Sequence, residues 1–382
     1  MSSLPRLALV ATSLAAAATG LVSAPSQAAP SPAAASSIGA AGPHVVFVQN
    51  DDPAGNAITA YDRTASGGLT QVGSYPTGGL GGVLAGSVVD HLASEGSLAY
   101  DQDAHRLYAV NAGSDSITVF SVHGDRLSRE QVIGSGGSFP VSITVDRGRV
   151  FVLNARGGAS VQGFDTVGGR LVRIPAWHHD LGLDPNQTPE FTSTPGQIGF
   201  TPDGSRLVVT TKNGGNSILV FRPGPAGLGA PVETDLPGTV PFGFDFDARG
   251  DLAVTEAGPN AVATFGIARN GTLTAHDTAA SAQAATCWLV AAGNTVYASN
   301  AGSGSLSTFR VGPAGDLSSL GTTATDRGTV DATVSGDGRY LYVQAGATGT
   351  VDAFSVGHDG SLTARGSVVV PNAVGGEGIV AL

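Results

Sequence analysis

The chain has 382 residues, of which 13% are charged and 56 are glycine, against roughly 25% charged and ~7% glycine in ordinary globular domains. Nineteen basic residues face thirty acidic ones, for a formal net charge of −11 and a single lysine, Lys212. That balance excludes nucleic-acid binding, which needs a basic footprint, and an apolar content of 41% excludes wholesale disorder. The single cysteine, Cys287, excludes an intramolecular disulfide and a cysteine-rich zinc site.

Residues 1–28 read as a signal peptide. Arg6 precedes an apolar run from Leu7 to Val22, and Ser26-Gln27-Ala28 offers small residues at the cleavage positions. Sixteen apolar residues fall short of the ~20 that span a bilayer, so a secreted, extracellular chain with no membrane anchor is expected. Residues 29–43, rich in Ala, Ser and Pro, read as a low-complexity lead-in.

From residue 44 to 382 one pattern recurs: apolar strand, polar turn, second strand, Asn/Gly loop, third strand ending in an aromatic, glycine hairpin, fourth strand. Second strands include Val45-Val46-Phe47-Val48, Leu107-Tyr108-Ala109-Val110 and Leu341-Tyr342-Val343-Gln344, short and rich in β-branched or aromatic residues. The closing aromatics are Tyr61, Phe120, Phe164, Phe221, Phe265, Phe309 and Phe354, most of them 44 or 45 apart. Two intervals are longer by one insertion each, Pro76–Ser94 and Pro175–Thr194. Seven units of four strands predict an all-β, seven-bladed propeller.

Closure is legible as well. The first unit lacks an innermost strand ahead of Val45, whereas Glu377-Gly378-Ile379-Val380-Ala381 is left over after the last unit and aligns with Glu95-Gly96-Ser97-Leu98-Ala99. The C-terminal strand is therefore expected to complete blade 1 and remove a sheet edge. Both insertions join an outer strand to the next inner strand, which puts them over one mouth of the channel.

Asn111-Ala112-Gly113-Ser114 with Phe120, Asn300-Ala301-Gly302-Ser303 with Phe309, and Ser335-Gly336-Asp337-Gly338-Arg339-Tyr340 resemble the seven-bladed propeller lactonase family, which includes 6-phosphogluconolactonases and carboxymuconate cyclases. The resemblance covers residues 44–382. It implies opening, or in reverse closing, of a small lactone ring. Members often begin inner strands with Pro-His; here the corresponding column holds Glu95-Gly96, Pro140-Val141, Pro195-Gly196, Pro241-Phe242, Ala285-Thr286, Thr329-Val330 and Glu377-Gly378, without histidine. The family's usual acid/base residue is thus not carried over.

Lactone opening needs a base, a donor for the carbonyl oxygen and an acid for the leaving alkoxide. Glu95 and Glu377, in one column of adjacent blades, are the expected catalytic carboxylates, one raised in pKa and the other low, with His91 as proton shuttle. Arg327, Arg156 and Lys212 are expected to polarise or hold the substrate, with Gln197, Asp331 and Cys287 further down their strands. No cofactor is implied. His178-His179-Asp180 with Asp184 and Glu190 lacks a firm ligand spacing for a divalent metal. The expected partner of a monomeric chain is a small lactone or organic acid. The alternative is a non-catalytic propeller binding a cell-wall, carbohydrate or protein ligand.

Overall fold

Each repeat folds as one antiparallel sheet of four strands, and seven such sheets form the chain's architecture. The computed structural model describes residues 44–382, so the leader and lead-in lie outside the described residues. No helix among the described residues is long and apolar enough to cross a membrane.

The expected ring closure is present. Ile379–Ala381 pairs antiparallel with Val45–Gln49 (Val46 with Ala381, Val48 with Ile379), so blade 1 takes its innermost strand from the C-terminal end. Blades 2 to 7 then follow in chain order, their innermost strands beginning at Leu98, Ser138, Ile198, Pro241, Thr286 and Thr329.

Burial explains why the sequence pattern repeats. Second strands are enclosed by neighbouring blades on both faces; Val45–Gln49 is buried at every position, and so is Tyr340–Ala345. Such strands read as continuous apolar runs, because neither face meets water. Outer strands have one wet face, and Leu273–Ala280 alternates accordingly. All seven third-strand aromatics are buried. In five blades the pairing to the outer strand slips by one residue beside that aromatic, as between Thr308 and Phe309 or Ala353 and Phe354, and in blade 3 it slips by three between Gln162 and Phe164. A bulge there increases local twist.

The two insertions meet over one face. Ala85 donates its N–H to Glu190 at 2.6 Å, and Phe191 donates to the Ala85 carbonyl at 3.4 Å. Insertion 1 also presses on blade 7: a Cβ on Gly346 would collide with the Val89 carbonyl. Insertion 2 begins later than expected, because the outer strand of blade 3 runs through Arg170–Asp180. His178, His179 and Asp180 therefore lie on a strand, not in a loop. Adjacent strand residues point to opposite faces: His178 Nε2 lies 3.1 Å from Asp180 Oδ1, while the His179 ring packs edge-on against Phe221. Glu190 is paired with Arg156. These five residues do not converge on one point.

Candidate functional site

The innermost strands splay away from one another, which leaves backbone N–H groups along the channel without a strand partner. Side chains from the preceding blade cap them. Gln197 of blade 4 accepts from Phe244 N–H at 2.6 Å, and Asp245 of blade 5 accepts from Ala291 at 2.8 Å. Asp331 of blade 7 accepts from Ile379 at 3.3 Å, and Glu377 of blade 1 from Ser97 at 3.1 Å. Glu95 breaks the rule by crossing the channel to Leu289 of blade 6, at 3.1 Å.

This placement corrects the expectation for Glu95 and Glu377. Both are buried, at 4% and 0% exposure, beneath the mouth and not at it. They also do not divide into one raised and one lowered pKa. Burial pushes both carboxyls well above the ordinary range, and each is pushed further by Asp331 more than by any other charge. Asp331 itself, likewise buried, is raised to about 7 and lies within hydrogen-bonding reach of Glu377, a contact that needs one of the two to keep its proton. Asp51 is raised to about 8 by burial, although it accepts from Gln49 and from the Glu377 N–H. A shared alignment column specifies position around the ring and carries no information on depth.

Above these carboxylates lies a cavity of about 300 Å³. Insertion 1 supplies Val88, Val89 and Asp90 to its wall, insertion 2 Phe191, blade 5 Phe242 and blade 6 Cys287 and Trp288. Phe242, Trp288 and Val330 form a small apolar cluster of their own, with Val89 and Cys287 against it. The charged residues lining the cavity are Asp90 and Lys212.

Lys212 opens a single helical turn after the second strand of blade 4, with φ +47°, a region a side chain other than glycine rarely adopts. Its ammonium donates to the Ala93 carbonyl at 2.5 Å, the Phe191 carbonyl at 2.6 Å and Thr194 Oγ1 at 3.0 Å, joining both insertions to blade 4. Three acceptors use all three ammonium hydrogens. Burial lowers its pKa to about 7, against the pull of Asp90. Asp90 accepts from Leu92 N–H on one oxygen and Ser94 N–H on the other, at 2.8 and 2.9 Å, and burial raises it to about 6. Each charge pulls on the other's pKa in apolar surroundings, which is where acid and base roles are set.

The remaining candidates separate. Cys287 lines the cavity, but burial pushes its thiol up to about 12, which keeps it protonated at neutral pH. His91 does not line the cavity: its ring packs against Gly375, its pKa is lowered by burial and its Nδ1 is buried without a partner. Arg156 is spent on Glu190, at 2.7 Å, and on the face of Phe139. Arg327 is exposed and does not line the cavity. The residue missed in the sequence is Asp90. The signal was present, since Asp90 is the one acid in the Gly-, Val- and Leu-rich stretch Pro76–Ser94.

Residues 253–377 match the family model described as Lactonase, 7-bladed beta-propeller. The resemblance to the propeller lactonases is thereby shown. The match ends at Glu377 and includes Cys287, Trp288 and Asp331; Asp90 and Lys212 lie outside it. Solved structures extend the likeness in fold around the ring. The periplasmic gluconolactonase of Pseudomonas aeruginosa has 19% identity and a TM-score of 0.70, over 89% of this chain and 99% of that one. A protein from Lactobacillus plantarum has 18% identity and a TM-score of 0.72, with the same coverage. A proposed 6-phosphogluconolactonase from Bacteroides fragilis has 18% identity and a TM-score of 0.67, over 89% and 98%. No curated protein matches the chain in sequence. At these identities the structures establish architecture, and the reaction has to be argued from the site.

Proposed function

We propose that the chain opens, or in reverse closes, a lactone ring in the cavity under the two insertions, with Asp90 as base and Lys212 as the cation. One observation carries this reading: an acid and a cation, each displaced toward neutrality, are the charged residues of an otherwise apolar cavity. The family match and the activities named for the Pseudomonas and Bacteroides proteins support the same reaction class.

Asp90 keeps a free lone pair on each oxygen after accepting from Leu92 and Ser94. It takes a proton from water as the water oxygen bonds to the acyl carbon. The carbonyl oxygen becomes an oxyanion, which the Lys212 ammonium stabilises in a site of low dielectric. The bond to Thr194 Oγ1 is the longest of the three that Lys212 makes, and it is the one a substrate oxygen would replace. As the ring C–O bond breaks, the leaving alkoxide takes its proton from Lys212 or from protonated Asp90. Glu95, Glu377 and Asp331 hold the channel floor and take no part in proton transfer.

Asp90→Asn keeps the acceptor for one backbone N–H and removes the base. It should lower lactone turnover by about 10²–10⁴-fold, with a loss of stability of about 1–3 kcal/mol from the N–H left without an acceptor. Full activity in this variant removes Asp90 from the reaction. From the leader alone we also propose that the chain acts outside the cytoplasm. Protein recovered from the culture medium should then begin near residue 29.

A further inference from the structure

The walls of the cavity decide which lactones it can hold, an argument that rests on the ring-opening reading above. Its polar hydrogens are already committed. Trp288 Nε1 donates to the Ser94 carbonyl at 2.6 Å, and Thr192 Oγ1 donates to the Pro189 carbonyl at 3.1 Å. Two ammonium hydrogens of Lys212 are spent on the Ala93 and Phe191 carbonyls, and the third, on Thr194 Oγ1, is the one given up to the ring carbonyl. What remains facing the space is Val88, Val89, Phe191, Phe242 and the Trp288 ring.

A polyhydroxylated ring would bury several hydroxyl groups here with only the Asp90 carboxylate free to pair them. Each unpaired hydroxyl weakens binding by about tenfold or more. A phosphorylated ring fares worse. Phosphate recognition relies on several cations or converging N–H groups, and this wall offers one ammonium beside the Asp90 carboxylate. The charge of the chain has the wrong sign as well, formally −11. The volume, about 300 Å³, is at the small end for ligand pockets, enough for a ring and a short tail.

We infer that this site takes a neutral lactone bearing an apolar alkyl or aryl substituent, and excludes phosphorylated and polyhydroxylated sugar lactones. The contact that selects it is burial of the substituent against Val89, Phe242 and Trp288, while the ring carbonyl turns toward Lys212.

The test is a series of δ-lactones whose alkyl substituent lengthens from methyl to pentyl, run beside glucono-δ-lactone, with the matching δ-lactams as ligands that are not hydrolysed. kcat/KM should climb by about fourfold per methylene until the cavity is full, with glucono-δ-lactone at least a hundredfold below the best alkyl lactone. Ala257→Phe adds bulk to the blade 5 wall away from Asp90, and should stop the climb at a shorter tail. A flat series, or a preference for glucono-δ-lactone, overturns the inference while leaving ring opening intact. Lactams that bind with the expected slope, when no lactone is opened, uphold the ligand class and overturn ring opening instead. Lactams that bind without any slope overturn the ligand class.

Discussion

The carboxylate of Glu95 in blade 2 spans the channel to the backbone N–H of Leu289 in blade 6, four blades further along the chain. It passes over Gly243 of blade 5, where a Cβ would collide with its Oε2. Gly243→Ala should therefore destabilise the fold by about 1–3 kcal/mol, seen as a lower urea midpoint. Glu95→Gln keeps an oxygen acceptor for Leu289 and should cost far less. A Gly243→Ala protein that unfolds like the wild type would show that this crossing is not held tightly.

Acidity should stabilise this protein across most of the physiological range. Burial raises Asp51 to about 8, Asp331 to about 7, and Asp90 and Asp245 to about 6, whereas unfolded carboxylates titrate near ~4. Between those limits the native state holds more protons than the unfolded state, so stability falls as pH rises from about 4 to 8. Lys212, lowered to about 7, works in the opposite direction only above that pH. Thermal melts at pH 5 should exceed those at pH 8, and Asp51→Asn should flatten the difference. A melting temperature that rises between pH 5 and 8 contradicts this.

Turnover should follow a narrow bell. Asp90 must be ionised, so kcat/KM climbs as pH passes about 6; Lys212 must be protonated, so it falls as pH passes about 7. Lys212→Arg keeps its charge to higher pH and should move the alkaline limb upward even where the rate itself is reduced. An alkaline limb that stays in place assigns that titration to another group.

Arg156 and Glu190 tie the roof together. Glu190 accepts from Arg156 on both oxygens and from the Ala85 N–H on Oε2, so a single carboxylate links both insertions to blade 3. The ion pair is partly exposed and worth little to global stability, about 1 kcal/mol or less. Its effect should be local: Glu190→Gln should raise KM and speed hydrogen exchange over residues 83–93 with almost no change in melting temperature. Unchanged exchange there would mean that the insertions hold each other by packing alone.

Deleting residues 375–382 removes the innermost strand of blade 1 and uncovers Val46 and Val48. The loss should be several kcal/mol, since each buried Ile or Val contributes roughly 1.5–3 kcal/mol. A truncated protein melting within a degree or two of the full chain would be incompatible with the closure described.

The ring was legible because its signals are local and repeat. Phe265, Phe309 and Phe354 recur at the same spacing because each must fill the same gap, and Ile379 was identifiable as a strand left over from the count. The site was harder to see. Asp90 becomes special only when the two insertions, distant in the chain, meet and wall one cavity with it, and nothing in either segment marks that meeting. Glu95 and Glu377 stood out by alignment, but alignment cannot distinguish an acid at the rim from one capping N–H groups below it. His178-His179-Asp180 passed for a loop because an outer strand with a wet face tolerates polar residues at every position.

The pairing of Val46 with Ala381 also bears on the order in which the protein can be made. A chain emerging from the ribosome exposes Val45–Gln49 long before Ile379–Ala381, the strand that covers its inner edge. Until then blade 1 presents an open edge of fully apolar sequence, and pairing over so long a separation is slow. The ring can lock only once Ile379–Ala381 has left the ribosome, so blade 1 stays exposed to aggregation until that strand docks.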